Sequence, residues 1–211
     1  MNIYDAINEL RQERPVFHSE ADFQFALAWK IQKLNPDVEV RLEYTTHFTN
    51  HNKPAHLDIV VFENGKAIPI ELKYKTLSTE IPYKDESFAL KNHSAQDLGR
   101  YDYLLDIERI EACRASWDIC AEGYAIMLSN DPSYWKPNMS SKKTVCDQFR
   151  IHHGIEKTGT LQWENAGIGT IKGRENPITL DGRYPIRWSE YSSFGTARNQ
   201  SFMITVTKIQ K

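Results

Sequence analysis

Asp58, Glu71 and Lys73 are the residues whose types and spacing point most directly to chemistry. The two acids sit in apolar-rich runs, residues 56–63 and 66–76, joined by Asn64-Gly65. Asn-Gly between such runs is the strongest short-range signal for a β-hairpin, because a type I′ turn needs positive φ at both central residues. A two-residue loop fixes the register: Asp58 opposes Glu71 and His56 opposes Lys73, all on one face. The acid pair then falls at a non-hydrogen-bonded site, where opposed Cβ atoms are about 4.5–5.5 Å apart. Like charges so placed are destabilising unless a proton or a cation relieves them. A hard divalent cation answers that need. Mg²⁺, or Mn²⁺ in its place, takes one or two protein carboxylates, keeps several waters and binds phosphate oxygens. Lys73 would stand beside it, able to hold or help deprotonate a water or to neutralise phosphate charge.

Other residues carry weaker signals. Glu20 lies on the helical row of Phe23, Leu27 and Ile31, so an acid begins a stripe that should face the core. It could reach the paired acids, or simply favour the helix dipole. His56 could touch substrate, although a lone histidine is more often structural. His152-His153 has no Cys, Asp or Glu at ligand spacing and reads as loop surface. Trp163, Trp188, Tyr184 and Tyr191 could stack on bases, but aromatics at strand spacing are more often core.

The elements that must position these groups are legible in outline. Ile3, Ile7 and Leu10 mark a first helix that Pro15 ends, and Ser19 caps a second helix reaching Leu34. Val38, Val40, Leu42 and Tyr44 alternate with charged residues as a strand, and a polar loop follows over residues 45–55. On the hairpin, Leu57, Ile59, Val61, Ile68, Ile70 and Leu72 form an apolar face that a helix should cover. Pro69 sits where its missing N–H points away from the partner strand. Ser94 is expected to cap a helix of about twenty residues. Residues 123–128 read as a short buried strand, and short strands are expected near 160–163, 184–188 and 202–209 in a tail rich in Gly, Pro, Ser and Asn.

Composition bounds the rest. With 211 residues, 40% hydrophobic and 26% charged, the chain reads as one domain with a sizeable core. Twenty-four aromatics (5 Trp, 10 Tyr, 9 Phe) exclude a disordered chain. No apolar run approaches the roughly 20 residues of a spanning helix, and the N-terminus carries no signal-peptide pattern, so a cytoplasmic protein with no membrane partner is expected. Three cysteines without CxxC spacing argue for reduced structural thiols rather than a disulfide framework or a zinc knuckle. A net charge of -2 shows no global positive field, yet a local basic surface beside a metal would still serve a phosphate ligand.

His56-Leu57-Asp58, a hairpin, then Glu71-Leu72-Lys73 resembles the PD-(D/E)XK, or restriction-endonuclease-like, nuclease superfamily. The order of elements over residues 15–128 resembles it as well: helix, three antiparallel strands, helix, and a fourth strand parallel to the third. The resemblance implies an α/β (α+β) fold with an αβββαβ core and a mixed central sheet flanked by helices. Residues 129–211 would be a β-rich C-terminal elaboration packed on that core. It further implies that Asp58, Glu71 and the backbone carbonyl of Leu72 hold the metal and that Lys73 positions the attacking water. Glu20 matches the first-helix acid, and Gln96 and Arg100 resemble polar residues that members place beside the site. Leu57 replaces the proline of the family's PD dipeptide.

The expectation is therefore a Mg²⁺-dependent phosphodiesterase, a DNA endonuclease before an RNA-cutting one, with a homodimer in keeping with the many members that cut duplexes as dimers. Two rivals stand beside it: a non-catalytic nucleic-acid- or protein-binding module on the same fold, and a non-phosphate hydrolase using the two acids as general acid and base.

Overall fold

Six strands form one mixed sheet in the computed structural model, which describes residues 1–46 and 55–210. Helices α1 (Ile3–Glu13) and α2 (Glu20–Leu34) come first, and Ser19 caps α2 by accepting from the Asp22 amide. Strands β1 (Glu39–Thr46), β2 (Ala55–Glu63) and β3 (Lys66–Lys75) follow as an antiparallel meander. A small hairpin, β4 (Thr79–Tyr83) and β5 (Glu86–Leu90), precedes the long helix α3 (Gln96–Ser116) and strand β6 (Glu122–Ser129). β6 pairs with β3 in parallel, which requires just such a crossover. Beyond it lie β7 (Glu156–Leu161), the short helix α4 (Ile168–Ile171), β8 (Ile178–Pro185), β9 (Trp188–Ser193) and β10 (Ser201–Gln210). The main sheet runs β1-β2-β3-β6-β10-β9, so the C-terminal region extends the central sheet itself, while β7–β8 form a separate ribbon.

The sheet separates two layers. One face packs on α1 and α2 through Ile3, Leu10, Phe23, Leu27, Ile59, Ile70 and Ile126. The other packs on α3 and the β7–β8 ribbon through Tyr103, Ile107, Met127, Phe149 and Ile178. Glu111 of α3 fastens that ribbon by accepting from the amides of Asp181 and Gly182 and from the Tyr184 hydroxyl. Trp188, Tyr184 and Tyr191 are thus core side chains, and Trp163 is packed against Tyr101 and Phe149. All three cysteines are free and buried. No helix among the described residues is long and apolar enough to cross a membrane.

The Asn64-Gly65 turn has positive φ at both residues, 50° and 74°, and Glu63 pairs with Lys66. The hairpin register agrees with the sequence expectation at every pair it makes, and Pro69 faces Val60. The ladder ends at Ile59–Ile70, however, so the expected oppositions Asp58–Glu71 and His56–Lys73 are not formed as ladder pairs. Two further corrections concern the ends of elements. Ser94 does not cap α3, whose N-cap is Ala95 in the left-handed region with no side-chain bond. Leu57 leaves the expected apolar face and joins Val60, Ala67 and Cys113 on the α3 side, with Tyr44 against it. The expected polar loop is shorter than residues 45–55, because β1 continues through Thr46 and β2 begins at Ala55; residues 47–54 lie outside the described residues.

Candidate functional site: a fork between two strands

The end of the β2–β3 ladder coincides with an irregularity on the other side of β2. Glu43 in β1 takes a left-handed φ of 49°, and the β1–β2 pairing skips it and Asp58 while resuming in the same register on both sides. Gln24, buried on α2, spans the gap: its amide nitrogen donates to the Asp58 carbonyl at 2.7 Å and to the Glu43 carboxylate at 2.8 Å. Beyond Ile59 the strands β2 and β3 part, and the β3 edge that β2 would have covered is taken over by acids. Asp58 Oδ2 accepts from the Leu72 amide at 2.6 Å, and Glu20 Oε2 accepts from the Tyr74 amide at 2.6 Å. Successive same-edge N–H groups of one strand are thus terminated by two carboxylates from two different elements. One position further, the Thr76 amide donates to His93 Nδ1 at 2.9 Å.

Glu71 and Lys73 project to the α3 side of the fork, because Ile70, Leu72 and Tyr74 take the α1–α2 face. There they meet Asp106 and Arg109 of α3. Lys73 Nζ lies 2.6 Å from Asp106 Oδ2 and donates to the Leu72 carbonyl at 3.1 Å. Arg109 stands 3.3 Å from Asp106 and 3.8 Å from Glu71. Glu71 is 1% exposed, and its Oε1 is buried without a hydrogen-bond partner.

Three acids, Asp58, Glu71 and Asp106, therefore share a buried space with two cations, Lys73 and Arg109. Burial, reinforced by Asp106 and Asp58, holds the Glu71 carboxyl well above its ordinary range. Burial likewise pushes Asp106 up to about 6, against the opposing pull of Lys73 and Arg109. For Lys73 burial acts downward, but the surrounding acids outweigh it and the ammonium is held above its ordinary value. The cluster is short of positive charge, and Glu71 is where the shortage falls.

The structure gathers Asp58, Glu71, Lys73, Glu20 and the Leu72 carbonyl in one place. It does not gather the others. His56 is exposed, with Nδ1 3.1 Å from the Thr45 hydroxyl across β1–β2. Gln96 donates to Asp131 at 2.9 Å, and Arg100 donates to the Ser133 carbonyl at 2.9 Å, so both serve the segment after β6 rather than the fork. The α3 residues that do reach the fork are Asp106 and Arg109, which the sequence reading missed. The signal was present: Asp106 lies three residues after Tyr103 and four before Ile110, an acid on a buried helical row, as Glu20 is. Glu43 gave no such signal, since it falls between Leu42 and Tyr44 on the face expected to be solvated.

Among the described residues, no group of three or more His, Cys, Asp or Glu side chains is gathered as a self-sufficient metal cage. Mg²⁺ needs less than a cage, usually one or two carboxylates with waters filling the rest. Two carboxylates, Asp58 and Glu71 with its orphaned Oε1, and the Leu72 backbone carbonyl are donors of that kind. Comparison of the chain with family models, with curated proteins and with solved structures gave no match to any of the three.

Proposed function

We propose that the chain is a divalent-metal-dependent phosphodiesterase of the PD-(D/E)XK kind, acting on DNA before RNA. The observation that carries this reading is the fork, where Asp58, Glu71, the Leu72 carbonyl and Lys73 converge at the point where β2 leaves β3. The residues that would hold Mg²⁺ or Mn²⁺ are Asp58, Glu71 and Leu72 through its carbonyl. A bound divalent ion supplies positive charge against the charge that develops on a phosphoryl oxygen. The chain's own groups do the remainder. Lys73, kept protonated by the surrounding acids, donates to a water or to a phosphate oxygen and does not act as a base. Glu20 and Asp58 hold the β3 edge in place through the Tyr74 and Leu72 amides. Asp106 and Arg109 orient Lys73 and Glu71 from the helix side.

One observation favours a second reading. Lys73 is already paired with Asp106 and with the Leu72 carbonyl, so the cluster holds its own internal cation, as a structural network in a non-catalytic binding module would. One experiment separates the two. The purified protein is incubated with single- and double-stranded DNA and with RNA, in Mg²⁺, Mn²⁺ or EDTA, beside Asp58→Asn. Metal-dependent cleavage lost in the variant is the expected result. Cleavage retained at the wild-type rate by Asp58→Asn would overturn the assignment of the fork, and salt-sensitive binding without cleavage in any metal would favour the module.

A further inference from the structure

Two inward-facing lysines have carboxylate partners. Lys30 meets Glu13 at 2.7 Å and Lys73 meets Asp106 at 2.6 Å. Two buried cations lack one, and both lie within electrostatic reach of Arg150 and His152. Arg100 and Lys157 are each 4% exposed, and neither forms an ion pair among the described residues. Lys157 Nζ donates to the Gln148 carbonyl at 2.7 Å. Arg100 donates to the Ser133 carbonyl, lies over the Tyr134 ring at 5.6 Å, and leaves its Nε buried with no partner. Gly99 permits this packing, since a Cβ there would stand 2.4 Å from the Tyr134 hydroxyl. Burying a charge without a counter-ion is costly, and a fold that keeps two such charges around Arg150 has a positive region suited to negative charge.

That region underlies an open groove. Two adjoining depressions share Arg150, Pro137 and Asn138; Ser133, Lys136 and Arg198 line one, and Lys142, Lys143 and His152 line the other. Arg150 and Arg100 approach the same spot from two sides: Arg150 donates to the Thr144 hydroxyl at 3.0 Å, that hydroxyl is 3.4 Å from Cys146 Sγ, and Arg100 Nη1 is 4.0 Å from the same sulfur. Ser133 Oγ and His152 Nδ1 are buried at this groove without partners. The single acid in its lining, Asp147, is occupied by the Thr144 amide at 2.9 Å and by Arg150. Burial first, and then the neighbouring cations, hold His152, Arg100 and Lys157 below their ordinary values. Arg198 at the rim has Asp131 at 3.7 Å, so the uncompensated charge is that of Arg100 and Lys157.

We propose that this groove binds a phosphate group, contacted by Arg150, His152 and Ser133, with Arg100 and Lys157 supplying charge from beneath. The site is separate from the fork and stands whether or not the fork hydrolyses anything. Guanidinium, hydroxyl and imidazole donors follow one another along the two adjoining depressions, with Arg150 common to both, and Arg in particular matches the geometry of a phosphate. The phosphate belongs either to a polynucleotide backbone or to a small free species.

The test is done in EDTA, so that cleavage and metal bridging play no part. Inorganic phosphate, a 5′-mononucleotide and a 20-base-pair DNA duplex are titrated by calorimetry into the wild type, Arg150→Gln and Lys157→Met, with Lys33→Gln on α2 as the charge-matched control. Saturable binding of at least one probe by the wild type, weakened at least about tenfold in both site variants and unchanged in Lys33→Gln, is expected. Binding confined to the duplex, with a salt slope smaller by about one in each variant, identifies a backbone phosphate; binding of the small probes as well identifies a free species. If Arg150→Gln melts early through loss of its bonds to Thr144 and Asp147, Lys157→Met carries the comparison, because a methionine fills the same buried slot. Affinities unchanged in Lys157→Met, or no binding of any probe by the wild type at low salt, would overturn the proposal.

Discussion

The carboxylate of Asp58 stands 2.6 Å from the backbone nitrogen of Leu72, in the place where the β2–β3 ladder would have continued. One oxygen of this acid therefore serves the fold, while its charge is felt by Glu71. The two roles separate by substitution. Asp58→Asn keeps an oxygen that accepts from Leu72 but removes the charge, so metal-dependent cleavage should fall at least about a hundredfold while stability changes little. Asp58→Ala also strands the Leu72 N–H, and urea denaturation should show a further loss of about 1–3 kcal/mol. Equal stability of the two variants would mean that this hydrogen bond does not hold the fork.

Charge balance at the fork predicts an asymmetry between the partners of its shortest ion pair. Asp106 and Lys73 approach to 2.6 Å, but they belong to a cluster of three acids and two cations. Removing the cation in Lys73→Met leaves the acids with Arg109 alone, and a loss of about 3–5 kcal/mol is expected. Removing an acid in Asp106→Asn evens the count, and the loss should be well under half of that. Chemical denaturation at pH 7.5 reads both. Equal losses would show that the pair acts alone, without Glu71 and Asp58.

Much of this geometry was legible because the relevant signals are local. Asn64-Gly65 set the turn, and the turn set the register of every pair that forms. Ser19 and the Phe23, Leu27 and Ile31 row set α2 and placed Glu20 at its start, where its carboxylate reaches the Tyr74 amide. What stayed hidden depends on long-range contacts or on unusual backbone. At Asp58, just past the end of the β2–β3 ladder, Glu43 of β1 adopts positive φ and Gln24 reaches across from α2, and neither fact leaves a trace in hydrophobic periodicity. The β4–β5 hairpin turns at Lys84-Asp85 with Lys84 at a φ of 54°, without the Asn-Gly or Asp-Gly pair that marks such a turn most strongly, and Asp85 after Pro82 is a weaker signal. The Ser94 cap failed because the chain enters α3 through a left-handed Ala95.

Lys157 offers a pH dependence whose sign is fixed. Burial first, and then Arg150, depress its folded value from 10.5 to about 8; the neighbouring His152, itself held below its ordinary value, is neutral across the same range. Below pH 8 the amine is protonated both folded and unfolded, and the full cost of burying the charge weighs on the native state. Between about 8 and 10.5 the unfolded chain binds more protons than the folded one, so this group makes stability rise with pH. Lys157→Met removes the charge. At pH 7 it should raise stability by on the order of 1–3 kcal/mol, and the advantage should shrink as pH passes through that window. A melting-temperature series from pH 6.5 to 10.5 checks it, and a constant offset between variant and wild type would show that Lys157 is not the titrating group.

The shortage of positive charge at Glu71 predicts how the protein responds to divalent ions even without substrate. A ligand that binds only the native state stabilises it by mass action, by about 2.7 kcal/mol at a hundred times its dissociation constant. Saturating Mg²⁺ or Mn²⁺ should therefore raise the melting temperature of the wild type, and EDTA should reverse the rise. Glu71→Gln removes the acid whose Oε1 is buried without a partner, and should abolish the shift. Glu20→Gln should keep most of it, because the Glu20 carboxylate is engaged with the Tyr74 amide and the substituted amide oxygen can accept the same bond. An equal shift in Glu71→Gln would place the ion elsewhere. No shift in the wild type would mean that Lys73, already bonded to Asp106 and the Leu72 carbonyl, is the cation the fork was built to hold.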